Sequence, residues 1–204
     1  MKDPTQMPDH VRLAQPADVP SIRLLIRLAC RELMPADYTT RQIESLLRYA
    51  LDIDRQLIFD GTYYIAQWGG RIAGVGGWSF RPGFLGEENQ TGAPRLCPAK
   101  DAATIRLFFV HPDFARRGIG RLLLSTCEGA AQRAGFGALE LAATLTGAGL
   151  YAACGFEIVS RFDAKLPDGV VATGFRMRKQ LSEPARRLSN TAALQPEARI
   201  EHKP

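Results

Sequence analysis

Residues 104–110 (Thr-Ile-Arg-Leu-Phe-Phe-Val) are followed, after His111-Pro112, by Arg116-Arg117-Gly118-Ile119-Gly120-Arg121 and then by an apolar stripe. This change of period constrains the fold more than any other feature. The run 104–110 is rich in β-branched and aromatic residues and reads as a strand. Past the glycines, Ile119, Leu122, Leu123, Cys127, Ala130, Ala131 and Ala134 recur at helical spacing, and Gly135 stands where such a helix stops. A strand that converts to an amphipathic helix across two glycines belongs to a chain that packs helices on a sheet.

The flanking sequence continues this alternation. Residues 11–14 suit a short strand. Asp18 offers an N-cap and Pro20 a first helical turn for a stripe of Ile22, Leu25, Ile26, Ala29 and Leu33, which Pro35 ends. Thr39 and Gln42 have capping-box spacing before Ile43, Leu46, Leu47 and Ala50. Residues 62–68 and 71–80 read as a hairpin around Gly69-Gly70. Gly74, Gly76 and Gly77 in its second strand permit a bulge or a close approach. Residues 81–103 read as a long loop. Residues 138–143 form a strand with Leu139 and Leu141 on one face, 147–154 a short helix, and 156–162 with 170–176 a strand pair around Pro167-Asp168-Gly169. The predicted order is β-α-α-β-β-β-α-β-α-β-β, an α/β (α+β) fold with a mixed sheet flanked by helices. The folded domain spans 10–180. Residues 1–9 form an N-terminal tail, and 181–204, polar and without a stripe, a flexible C-terminal tail.

With 204 residues, 46% of them hydrophobic, the chain can build one sizeable core. Its net charge of +5 favours acidic ligands. The basic residues are scattered rather than clustered, which argues against nucleic acid as a partner. Cys30, Cys97, Cys127 and Cys154 make no CxxC pair and no zinc spacing with histidine, so no metal is expected and the thiols read as reduced. Residues 1–10 lack an apolar signal core, and no run is long enough to span a bilayer. A cytoplasmic location without a membrane partner is the expectation.

The glycine turn carries its own chemistry. A helix that starts near Gly118 leaves its first N–H groups without intrahelical acceptors, at the positive end of the dipole. An anion there meets several donors. Gly118 and Gly120 lack a Cβ and let it come close, while Arg116, Arg117 and Arg121 add charge. The arrangement suits a pyrophosphate. It is neither a P-loop nor a dinucleotide fingerprint, for the residues those need do not follow.

The segment from Ile105 through His111-Pro112 and the Arg-Arg-Gly-Ile-Gly-Arg turn to Leu124 resembles motif A of the GNAT superfamily of N-acetyltransferases. Leu150-Tyr151-Ala152-Ala153-Cys154-Gly155-Phe156 resembles its motif B. The resemblance spans roughly residues 10–180 and implies a mostly antiparallel central sheet. It implies an enzyme that transfers an acetyl group from acetyl-CoA to a primary amine by direct attack in a ternary complex, the acceptor being a small molecule or a protein. In that frame Phe108, Phe109 and Val110 bind the pantetheine and offer an oxyanion N–H. Arg116, Arg117, Gly118, Ile119, Gly120 and Arg121 cradle the pyrophosphate. Thr146 stands where the family often contacts CoA through Asn. Tyr151 is the expected acid for the leaving thiolate. Dimers are common in the family, so a homodimer is a further expectation.

The sequence departs from the family at two places. Ala115 stands where the motif begins with Gln or Arg. Thr104 stands where members often carry a basic Glu or His, and neither it nor Arg106 can take a proton at neutral pH. The base therefore lies elsewhere, acts through water, or is not needed for a weakly basic amine; Glu32, Asp37, Glu87, Glu88, Asp101 and Glu140 are ionisable candidates. His111, beside Pro112, reads as structural, and Cys154 as a thiol outside the mechanism. The long 81–103 segment is expected to form part of the acceptor pocket or a lid over it. The missing base also admits an alternative, an acyl-CoA-binding sensor or scaffold that has lost turnover.

Overall fold

The structure is a computed structural model that describes residues 10–83 and 95–181. Its elements are β1 (His10–Leu13), α1 (Val19–Leu33), α2 (Thr40–Tyr49), α3 (Arg55–Phe59), β2 (Tyr63–Trp68), β3 (Arg71–Ser79), β4 (Ala103–Val110), α4 (Ile119–Arg133), β5 (Ala138–Thr144), α5 (Leu145–Ala152), β6 (Glu157–Lys165) and β7 (Val171–Gln180). The predicted order holds, with α3 added. That short helix escapes a periodicity argument because it has little more than one turn; Asp54 starts it by accepting from the Gln56 N–H at 2.8 Å.

Local chemistry explains most boundaries. Thr39 and Gln42 form the expected capping box. Gly69 and Gly70 take positive φ (55° and 73°), the twist that a two-residue hairpin requires. Asp18 corrects an expectation. It stands at the start of α1 but does not cap it with its side chain. Its carboxylate instead accepts two hydrogen bonds from Arg12 and one from the Gln15 N–H. Leu181, assigned to the tail, is buried, and its N–H donates to the Gly137 carbonyl. The rest of both tails lies outside the described residues.

The seven strands form one sheet in the order β1-β2-β3-β4-β5-β7-β6. All neighbouring strands run antiparallel except β4 and β5. Helices α1 and α2 cover one face, where Ile22, Ile26 and Leu46 meet Tyr63, Ile65 and Val75. The face opposite carries α4, whose Leu123 and Leu124 are buried, and α5, which places Tyr151 beside Leu139 and Leu141. Among the described residues, no helix is long and apolar enough to cross a membrane.

Two irregularities at the centre of this sheet make room for a site. Strands β4 and β5 pair only at Ala103–Leu139 and Thr104–Glu140, then separate. The β4–β5 ladder does not continue past Thr104. On its other edge β4 carries a bulge. Val75 pairs with Phe109 and Gly77 with Arg106, so Gly76 faces both Leu107 and Phe108. Leu107 absorbs the extra residue at φ 53°.

Candidate active site

The glycines of β3 explain how the bulge is tolerated. A Cβ on Gly76 would lie 2.6 Å from the Phe108 ring, and one on Gly77 2.6 Å from the Tyr63 ring. A Cβ on Gly74 would lie 2.7 Å from the Ile119 side chain, at the start of α4. The close approach that the sequence left open is therefore made by Phe108, Tyr63 and α4. From the opposite side, the buried Tyr63 hydroxyl donates to the Leu107 carbonyl at 2.8 Å.

Where β4 and β5 part, a cavity of about 210 Å³ runs between the sheet's two faces. Phe108, Phe109, Val110, Thr146 and Tyr151 line it, as do Thr144, Gly147 and Leu150 of the β5–α5 turn and α5. Its far end meets Ala29, Cys30, Leu33 and Met34 of α1. A second cavity, of about 360 Å³, lies at the N-terminus of α4 and is lined by Ala115, Arg116, Gly118, Ile119, Gly120, Arg121 and residues of α5. The two share Val110 and Leu150 as walls.

The turn at α4 places its glycines and first N–H groups at the mouth of this second cavity, for partly different reasons than spacing suggested. The first helical bond runs from the Leu122 N–H to the Gly118 carbonyl, so the N–H groups of Ile119, Gly120 and Arg121 have no helical acceptor. Gly118 has φ 81°, and a Cβ there would meet nothing within 4 Å. The glycine is needed for its backbone. At Gly120 a Cβ would lie 2.8 Å from Leu150, so that glycine serves the approach of α4 to α5. Arg116 holds φ 62° without being glycine, a local strain at the mouth of the cavity. Arg117 lines neither cavity. Its guanidinium lies over the rings of Trp68 (5.5 Å) and Phe114 (5.9 Å). Spacing alone put all three arginines at the phosphate; Trp68, remote in sequence, and Phe114, three residues away, hold the Arg117 guanidinium over their rings.

Tyr151 is buried at the cavity wall between Phe108 and Phe156, edge-on to both. Burial, with smaller effects from Cys127 and Cys154, pushes its pKa above the ordinary tyrosine value. The phenol stays protonated at neutral pH. Its hydroxyl has no hydrogen-bond partner among the described residues.

Thr146 lines the cavity, yet its hydroxyl donates to Asp37 at 2.6 Å. Next to it, the Tyr38 hydroxyl accepts from the Leu145 N–H and donates to the Thr173 carbonyl. Residues 37 and 38 thus clamp the start of α5. Thr144, which the sequence reading passed over, caps α5 by accepting from the Gly147 N–H. Its place just before a helix was an available signal. The α1 wall had none, because its residues read as ordinary core stripe.

The ionisable candidates scatter. Thr104 is buried with its hydroxyl toward the Ser79 and Arg81 carbonyls. Glu140 pairs with Arg178, and Asp101 accepts from the Cys97 N–H. Glu32 is exposed, and Glu87 and Glu88 lie outside the described residues. Asp37 reaches the cavity only through Thr146. His111 accepts from the Asp113 N–H and starts the turn Pro112–Phe114. The described parts of the 81–103 segment line neither cavity: Arg81 binds Asp60, Arg95 lies over Phe80, and Pro98 sits by Gly135 at the far end of α4.

Residues 27–156 match the family model described as the acetyltransferase (GNAT) family. The chain belongs to the GNAT acetyltransferase family. Comparison with curated proteins finds no match. Among solved structures, a GCN5-related N-acetyltransferase from Rhodopseudomonas palustris is similar at TM-score 0.65 and 22% identity, over 86% of this chain and 97% of that one. YncA from Salmonella typhimurium, a putative acetyltransferase solved with acetyl-CoA, is similar at TM-score 0.56 and 20% identity, over 86% and 95%. The ribosomal-protein-S18-alanine N-acetyltransferase of Escherichia coli is similar at 0.54 and 16%, over 88% and 97%. These likenesses establish the GNAT fold of the sheet and helices described above.

Proposed function

We propose that this GNAT domain transfers an acetyl group from acetyl-CoA to a primary amine by direct attack. The observation that carries the reading is that the two cavities adjoin, with Val110 and Leu150 in the walls of both. A helix N-terminus suited to an anion stands next to an apolar slot that runs past a buried phenol, which is the sequence of environments that a diphosphate, a pantetheine arm and a thioester require.

In this reading Gly118, Ile119, Gly120 and Arg121 receive the diphosphate on main-chain N–H groups, with Arg116 and Arg121 adding charge. Arg117 has no direct part. The β5-facing edge of β4 at Phe108, Phe109 and Val110 pairs with the pantetheine amides, and a main-chain N–H there faces the thioester oxygen. The amine nitrogen attacks the carbonyl carbon, the C–S bond breaks, and the nitrogen gives up a proton while sulfur gains one. Tyr151 donates to the departing sulfur. Its raised pKa makes complete transfer to a thiolate of pKa about 8.5 uphill, so it acts best as a relay that regains a proton from the acylated nitrogen.

Calorimetry and thiol release on Tyr151→Phe test this. Acetyl-CoA affinity should stay near wild type, and kcat should fall about 10²-fold or more. Unchanged turnover removes Tyr151 from the mechanism. The second reading, a non-catalytic acyl-CoA sensor, is favoured by the buried, hydrogen-bonded Thr104 at the position of the family's base. Acetyl-CoA binding without thiol release across a broad amine panel would support it.

A further inference from the structure

The α1 end of the cavity has a composition that the transfer reading leaves unused. Beyond Tyr151 and Phe108 the slot passes through the sheet and ends on Ala29, Cys30, Leu33, Met34 and Leu51. Among the described residues, no Asp, Glu, Lys, Arg or His lines it. The Cys30 thiol is no exception, since burial pushes its pKa up to about 12 and it stays neutral. Asp37, nearest by hydrogen bonding, is engaged by Thr146.

A wall of this kind receives charge poorly. An ammonium brought against it loses its hydration and finds no counter-charge among the described residues. A lysine-like amine avoids that by arriving neutral, but at pH 7 only about one molecule in 2,500 is neutral. An amine attached to an aromatic ring is neutral already, and it needs no base before it attacks. Size agrees. The slot as a whole has about 210 Å³ and must also take the thioester end of the pantetheine, so what seats against the α1 wall is no larger than about one ring, for which about 150 Å³ suffices.

We propose that the acceptor is a weakly basic amine on a small apolar body, an arylamine of about one ring, seated against Ala29, Cys30, Leu33 and Met34. The inference rests on the acetyl-transfer reading and narrows it. The stoichiometry closes without a resident base. The neutral amine forms the N–C bond, the thioester C–S bond breaks, and one proton passes from nitrogen to sulfur, giving an amide and CoA-SH.

The test compares kcat/KM at pH 7 with acetyl-CoA for aniline, 4-methylaniline and 4-ethylaniline against lysine, cadaverine and spermidine. The anilines should exceed the cationic amines by about 10-fold or more, and the first added carbon should raise kcat/KM by about 3- to 4-fold. A second arm uses Leu33→Asp, a half-buried position at the edge of the wall. Aniline kcat/KM should fall about 10-fold, with acetyl-CoA affinity by calorimetry within about 2-fold of wild type. Faster turnover of the cationic amines by wild type overturns the acceptor class and leaves acetyl transfer standing. Acetyl-CoA binding without thiol release from any amine overturns both.

Discussion

The Tyr63 hydroxyl donates to the carbonyl of Leu107 at 2.8 Å, from a side chain with no solvent exposure. The bond joins β2 to the bulged residue of β4 across the intervening β3. It holds the one strand of the sheet that must leave its neighbour, and so fixes the direction of Phe108 and Phe109 at the slot. Removing it with Tyr63→Phe leaves the half-buried Leu107 carbonyl without this partner. Urea unfolding should show a loss of about 1–3 kcal/mol, and kcat should fall with it because the bulge relaxes.

The two glycines of the α4 turn should fail differently when changed. Gly118→Ala forces a side chain to φ 81° in open space, so it should cost about 1–2 kcal/mol of stability and weaken acetyl-CoA binding by distorting the N–H cradle. Gly120→Ala meets Leu150 instead. It should push α5 outward and lower kcat through Tyr151 as well as affinity. Calorimetry and turnover on both variants separate the effects, and a Gly120→Ala variant with wild-type kcat would break the link to α5.

Arg117 and Arg121 offer a matched pair. Arg117→Ala should lose about 0.5–1 kcal/mol of stability with its ring contacts and leave acetyl-CoA affinity within about 2-fold. Arg121→Ala should lower affinity several-fold and reduce its salt dependence, since that residue lines the cavity at the α4 N-terminus proposed for the diphosphate. Titrations at two salt concentrations compare them.

Stability should fall on both sides of neutral pH. Asp60 is held below the ordinary carboxylate range first by its hydrogen bonds from Arg81, and Asp18 likewise by Arg12. Their contribution is full above about pH 4 and is lost as pH falls through the lowered native values. Tyr63 and Tyr151 are shifted upward by burial, so their contribution is full below about pH 10 and is lost as pH rises toward the native values. Thermal melts across pH should show both limbs, and Asp60→Asn should flatten the acid one.

What the sequence determined by itself was periodicity and main-chain chemistry. The stripe after Gly120 and the capping box at Thr39 are local, as is the hairpin at Gly69-Gly70, and local pattern is enough to set them. The Arg116–Arg121 turn was legible for the same reason: a helix N-terminus attracts anions wherever it stands. Tertiary structure decided everything that depends on a remote neighbour. Trp68 draws the Arg117 guanidinium over its ring, Arg12 of β1 takes Asp18 from its cap, and Leu150 gives Gly120 its purpose. The parting of β4 from β5 is of the same kind. No residue between 104 and 110 announces which strand it will lie beside, so the slot, its α1 wall and the bond from Tyr63 to Leu107 exist only once the sheet has closed.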